Sequence, residues 1–262
     1  MTIWINGQLT SVEAARIDPR DRGFTLGDGL YETIQVRDGR LLRIDRHFAR
    51  LGDGLRVLDI RLKLDENALT RAMLAVLKAD QLENAAVRLT VSRGAAARGL
   101  APDLNARPTV VISAAPHVQL GPARVMVATV TRRNAQSPIS RIKTTNCLDS
   151  ILARMEAARN DMDDAILLNA EGWVAEATAA NIFAVIDRVL VTPPVSDGAL
   201  PGVMRSAIMA HMPLGECSLS ADDLSRADEI FLTSSLGIRP VIAFEDRILF
   251  EGPVASRLKA EL

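Results

Sequence analysis

The sequence predicts an α+β protein built as two compact lobes. Three features point that way: hairpin signatures near the start, apolar residues at helical spacing directly after them, and an aperiodic stretch from Ala115 to Pro122 that carries proline near both ends. A chain of 262 residues, 48% hydrophobic and 24% charged, can bury one large core or two smaller ones.

The elements follow in order. Ile3-Trp4-Ile5, an Asn6-Gly7 turn and Gln8-Leu9-Thr10 read as a hairpin. Tyr31 to Val36 and Leu41 to Ile44 flank Asp38-Gly39, a dipeptide that tolerates the positive φ of a tight turn. Asp45 then predicts an N-cap, with Phe48, Leu51 and Leu55 on one apolar stripe and Arg46, His47 and Arg50 decorating the same helix. A second helix is predicted from about Glu66 to Leu77. The alternation of Val87, Leu89 and Val91 and the run Val110-Val111-Ile112 predict strands. The expected division is 1–115, a connection at 116–122, and 123–262. In the last part we expect strands at Val125 to Val130, Ala165 to Leu168, Asn181 to Ile186 and Val189 to Thr192, and helices near Leu148 to Ala158 and from about Val203.

Composition narrows the function. With 31 basic and 32 acidic residues spread along the chain there is no charge footprint for nucleic acid or an anionic membrane, so a small molecule is the expected partner. No apolar run approaches the ~20 residues that cross a bilayer. Cys147 and Cys217 are too few and too far apart for a disulfide framework, and a reducing cytoplasm is the expected setting. His47, His117 and His211 lie in separate segments without a metal-binding spacing, so no metal is expected.

Four stretches exceed plain scaffolding: Arg22 to Thr33 (RGFTLGDGLYET), Ile142 to Asn146 (IKTTN), Glu176 to Phe183 (EATAANIF) and Leu200 to Arg205 (LPGVMR). In order and spacing they resemble the class IV aminotransferase family, whose cofactor is pyridoxal 5'-phosphate (PLP), and the resemblance runs from about Ile3 to Val241. It implies a two-domain fold-type IV enzyme, with an N-terminal α+β lobe and a larger C-terminal lobe around a barrel-like sheet. It also implies a homodimer.

The resemblance assigns roles residue by residue. Lys143 matches the Schiff-base lysine; a free lysine, with a pKa of about 10.4, is mostly protonated, so such a site must favour the neutral amine that can also shuttle a substrate proton. Taken alone it would be an ordinary solvated lysine. Glu176 matches the carboxylate that keeps the pyridine nitrogen protonated. Arg50 matches the phosphate-binding arginine, although on a helix near Arg43 and Arg46 an exposed arginine is the plainer reading. Val203 and Met204 match backbone donors to phosphate at a helix start, and Ser235, or its neighbour Ser234, a further phosphate contact. The Thr178-Ala179-Ala180 stretch lacks serines that some relatives carry.

Tyr31, Thr33 and Arg98 match elements that border the substrate, and Arg98 could pair with a carboxylate. Leu100 stands where D-amino-acid transaminases of the best-known type have a histidine. The segment Ser235 to Val241 (SLGIRPV) is similar to that of 4-amino-4-deoxychorismate lyases. The first expectation is therefore the lyase of folate biosynthesis, which yields 4-aminobenzoate and pyruvate. The alternative is transamination of D-amino acids, branched-chain L-amino acids or R-amines. A PLP carrier without turnover is the reading from another class, and a full lysine, glutamate and arginine set exceeds what storage needs.

Overall fold

In the computed structural model, which describes residues 1–262, the first hairpin is β1 (Thr2–Ile5) and β2 (Gln8–Ser11), turned by Asn6 and Gly7 at φ values of 46° and 101°. Then come α1 (Arg22–Leu26), β3 (Gly29–Arg37), β4 (Arg40–Leu41), α2 (Ile44–Leu58), α3 (Glu66–Ala79), β5 (Ala85–Ser92) and β6 (Thr109–Pro116). The strands form one antiparallel sheet in the order β2-β1-β6-β5-β3-β4. Strand alternation sends Ile34, Val87, Leu89 and Ile112 to one face, where α2 and α3 lay Phe48, Leu51, Met73 and Val76 against them.

Three details differ from expectation. The N-cap of α2 is Arg43, at φ 52°, and Asp45 lies in the first turn, where its charge suits the positive end of the helix. The predicted strand to Ile44 therefore shrinks to Arg40–Leu41, because the chain has already turned into the helix. Helix α1 was not foreseen; Asp21 caps it by accepting from the Gly23 N–H at 2.7 Å.

The second sheet uses β7 (Ala123–Val127), β8 (Asp164–Leu168), β9 (Val174–Ala177), β10 (Asn181–Ile186), β11 (Val189–Thr192), β12 (Gly215–Glu216), β13 (Glu229–Ser234), β14 (Gly237–Phe244) and β15 (Arg247–Ile248). Its order is β12-β11-β10-β13-β14-β7-β8-β9, with β15 on β14, and it curls into a half-barrel. Helix α4 (Leu148–Arg159) links the parallel pair β7 and β8, followed by α5 (Val203–His211), α6 (Ala221–Arg226) and α7 (Pro253–Glu261). Both faces of β10 and β13 are covered: Ile182, Ala184, Ile230 and Leu232 join one cluster, while Phe183 and Phe231 stack at 5.2 Å in another beneath α5 and α7. The strand expected to reach Val130 stops at Val127, since the N–H groups of Thr129 and Val130 turn to the Glu156 carboxylate.

The chain divides into Met1–Val118 with Ile142–Asn146, and Gln119–Arg141 with Cys147–Leu262. The segment around Lys143, expected inside 123–262, thus belongs with the N-terminal unit. The reason is an open edge. Strand β4 pairs β3 only at Val36 and Arg37, so the first residues of β3 would leave backbone groups unsatisfied. Residues 143–145 cover them through an antiparallel bridge between Leu30 and Thr144, with Tyr31 N–H donating to Lys143 C=O at 2.9 Å and Thr145 N–H to Gly29 C=O at 3.0 Å.

Met73 is fully buried between α3 and this sheet. Met73→Ala is expected to cost about 2–5 kcal/mol, read as a lower urea midpoint with an unchanged slope; an unmoved midpoint would contradict the packing described.

Candidate active site

The backbone pairing of residues 143–145 with 29–31 places Lys143, which is half-buried, beside Tyr31, and its Nζ stands 4.5 Å from the centre of the tyrosine ring. Thr33 follows two residues along β3 on the same face. Directly opposite Thr33 on β5 is Arg88, whose guanidinium lies 3.9 Å from the same ring centre. Gly27 closes α1 in the left-handed conformation at φ 67°, and its carbonyl accepts from Thr145 Oγ1 at 2.8 Å and Asn146 Nδ2 at 2.9 Å. The IKTTN stretch is thereby stitched to GDGLY by both backbone and side chains.

Glu32 points to the other side of β3, toward α2. Arg50 holds it in a two-point pair, Nε to Oε1 at 2.9 Å and Nη2 to Oε2 at 2.6 Å, and His47 Nδ1 meets Oε2 at 2.7 Å. Burial alone would raise the Glu32 pKa, but these donors outweigh it and hold the carboxyl below its ordinary 4.5. The Nε–Nη2 edge of Arg50, expected to face phosphate, is thus occupied by Glu32. A parallel clamp sits at the start of β3. Asp28 pairs with Arg22 and Arg93, each at 2.7 Å, and burial is again outweighed so that its pKa falls. Arg93 also donates to Leu58 C=O and Arg22 to the carbonyls of Gly99 and Leu100, which ties the loop after β5 to α2 and α1. Arg98 rides exposed on that loop without an ion pair, and Leu100 is 82% exposed.

The second unit carries the other expected residues. Glu176 lies on β9, a strand the sequence reading had not placed, and is buried; Oε1 pairs with Arg133 Nη2 at 2.9 Å and Oε2 accepts from Leu200 N–H at 2.9 Å. Arg133 is itself held by the carbonyls of Gly198 and Ser140. Asn181 Nδ2 donates to Leu200 C=O at 2.8 Å, and a Cβ on Gly202 would fall 1.9 Å from Asn181 Oδ1, so this turn requires glycine. The turn delivers the chain into α5, whose N-terminus has no side-chain cap; the N–H groups of Val203 and Met204 open the helix without intrahelical acceptors. Thr233, opposite Asn181 on β13, is buried and its hydroxyl has no partner. Ser234 Oγ accepts from Leu236 N–H at 3.2 Å, whereas Ser235, at the β13–β14 turn, makes no hydrogen bond within the chain.

The structure therefore gathers Lys143, Tyr31 and Thr33 in one neighbourhood, and Glu176 with the start of α5 in another. Sequence reading missed Arg88, Arg133 and Thr233, and carried Asn181 only as part of a motif, without a role. The first had a signal, as the one charged residue in the alternating run Ala85–Ser92. The rest depend on pairings that no local pattern displays. No group of three or more His, Cys, Asp or Glu side chains could hold a metal ion, and no helix is long and apolar enough to cross a membrane.

Comparison with known proteins places this geometry. A match to the family described as amino-transferase class IV covers residues 29–244. A Methanocaldococcus jannaschii protein, provisionally named a branched-chain-amino-acid aminotransferase, is 32% identical over 271 residues, which span 99% of this chain and 94% of that one. The structure of the branched-chain amino acid aminotransferase of Escherichia coli superposes with a TM-score of 0.90 at 28% identity, covering 98% of this chain and 91% of that one. The 4-amino-4-deoxychorismate lyase of Pseudomonas aeruginosa gives 0.86 at 32%, covering 99% and 97%.

Glu32→Gln leaves Arg50 and His47 facing a neutral group, which is expected to cost about 3–5 kcal/mol at pH 7. Because the folded pKa of Glu32 is depressed, its contribution is full above the unfolded value and is lost as pH falls through the folded one. Urea unfolding should therefore show the gap between variant and parent narrowing below pH 4.5; a gap independent of pH would refute the clamp.

Proposed function

Since the chain belongs to the class IV aminotransferase family, and is thus a PLP-dependent enzyme, we propose that it is a 4-amino-4-deoxychorismate lyase. The residues fit the cofactor. An uncapped helix start with an unpartnered buried hydroxyl at Thr233 suits a phosphate, and a carboxylate steadied by Arg133 and Leu200 N–H suits a protonated ring nitrogen. Lys143 would hold PLP covalently, Val203, Met204 and Ser235 would donate to its phosphate together with Arg50, and Glu176 would face its nitrogen. When bound, PLP supplies a sink for the electron pair released as the substrate loses a proton.

The chain's own residues handle that proton. Lys143 Nζ, 4.5 Å from the centre of the Tyr31 ring, takes it from the substrate carbon that bears the amino group. The bond from the neighbouring ring carbon to the enolpyruvyl oxygen breaks, the ring becomes aromatic, and the proton returns to the departing three-carbon fragment, which leaves as pyruvate. The observation that carries the lyase reading is Thr33: its hydroxyl makes no hydrogen bond within the chain and lies on Lys143's face of β3, where it can relay that proton or hold a carboxylate. The likeness to the Pseudomonas lyase along 99% of this chain supports it. The likeness to the Methanocaldococcus relative favours a second reading, transamination, in which Lys143 would not return the proton to a departing fragment.

We further propose a homodimer. Leu148, Ile151, Leu152 and Met155 form a stripe on α4 at helical spacing, and each is between 45% and 73% exposed. A two-fold contact is the commonest way to cover such a face.

Purified protein loaded with PLP should convert 4-amino-4-deoxychorismate to equal amounts of 4-aminobenzoate and pyruvate. Faster keto-acid formation from D-alanine or branched L-amino acids, without 4-aminobenzoate, would reverse the ranking. Lys143→Ala should abolish the visible absorption of bound PLP and nearly all turnover. Replacing both Ile151 and Leu152 by Glu should lower the light-scattering mass from twice 28.3 kDa to one chain; an unchanged dimer would place the contact elsewhere.

A further inference from the structure

We infer that Arg88 is the residue that recognises a substrate carboxylate, seating it beside Lys143 among the hydroxyls of Thr33 and Ser113. The inference rests on the PLP-enzyme reading and holds for the lyase and for transamination of amino acids, since those substrates carry a carboxylate. It moves to Arg88 a role that sequence likeness had given to Arg98.

The register carries the placement. Thr33 on β3, Arg88 on β5 and Ser113 on β6 are direct partners across three adjacent antiparallel strands, so their side chains share one face. The opposite face is the apolar core of Ile34, Val87, Leu89 and Ile112. Arg88 is the one charged residue of β5, β6 has none, and Glu32 of β3 points to the core side. No carboxylate of the chain answers it. Neither Arg88, Thr33 nor Ser113 makes a hydrogen bond or ion pair through its side chain.

An arginine on a solvated sheet face would normally extend into water. This one is held on the Tyr31 ring, 3.9 Å from its centre, while Lys143 Nζ approaches the same ring at 4.5 Å. Stacking fixes the plane of the guanidinium and leaves its N–H fork able to meet both oxygens of one carboxylate. Arg98 has neither feature: it is exposed on a loop with no aromatic partner.

The test is a titration of the PLP-loaded enzyme with an unreactive acid, 4-methylpentanoate, against its neutral amide. The parent should bind the acid and discriminate against the amide. Arg88→Gln should raise the acid's Kd by at least about tenfold, the loss of one charge-assisted two-point contact, and erase the preference over the amide. Arg88→Lys should recover part of both, with the visible absorption of bound PLP unchanged. KM for carboxylate-bearing substrates should rise more than kcat falls. Arg61→Gln, on an exposed arginine, serves as the unaffected control. A smaller rise, or an equal loss for acid and amide, overturns the inference, as does a loss confined to Arg98→Gln. A parent that loads PLP but ignores the acid overturns it while leaving the PLP-enzyme reading intact; a parent that loads no PLP sinks both.

Discussion

The pairing between the start of β3 and residues 143–145 is the contact on which the first unit's chemistry depends. Two backbone hydrogen bonds, Tyr31 N–H to Lys143 C=O and Thr145 N–H to Gly29 C=O, set the distance between the lysine and the tyrosine ring. Lys143 thus sits on an ordered sheet edge, although its segment is remote in sequence from that sheet. A flexible four-carbon side chain gains its position from this edge and from the ring beneath it. Side-chain bonds from Thr145 and Asn146 to Gly27 C=O brace the same junction.

Three carboxylates are met by arginine: in the first unit Asp28 by Arg22 and Arg93 and Glu32 by Arg50, and in the second Glu176 by Arg133. Such pairs recover little net stability once desolvation is counted, but an uncompensated charge in the same place is costly. Their effect here is to specify geometry. The Asp28 clamp fixes where β3 begins and where the following loop is anchored, and the Arg133–Glu176 pair fixes one carboxylate oxygen while Leu200 N–H fixes the other. Arg88 stands apart from this pattern, a guanidinium on the sheet with no acid from the chain.

Much of this was legible beforehand. The hairpins, α2, α3 and most strands follow from period-2 and helical spacing, because those patterns record which side chains one element buries. The motif order pointed to the family, and with it to PLP. Boundaries were less legible. Asp45 looked like a cap because its side chain suits one, yet the turn is made by the backbone of Arg43. Val125 to Val130 looked like one strand because its residues are β-formers, yet Glu156, from another element, captures the N–H groups of Thr129 and Val130.

By itself the sequence determined the elements and the chemical kinds of residue available, since both are local properties of side chains. Only the tertiary structure decided which unit holds Lys143, that Glu32 rather than an outside anion occupies one edge of Arg50, and that Arg88 rather than Arg98 stands by the tyrosine ring. Each of these outcomes joins residues 18 or more positions apart, through strand register and shared burial. Such joins are settled by which edges and charges must be satisfied when the chain closes on itself, and no window of neighbouring residues contains that information.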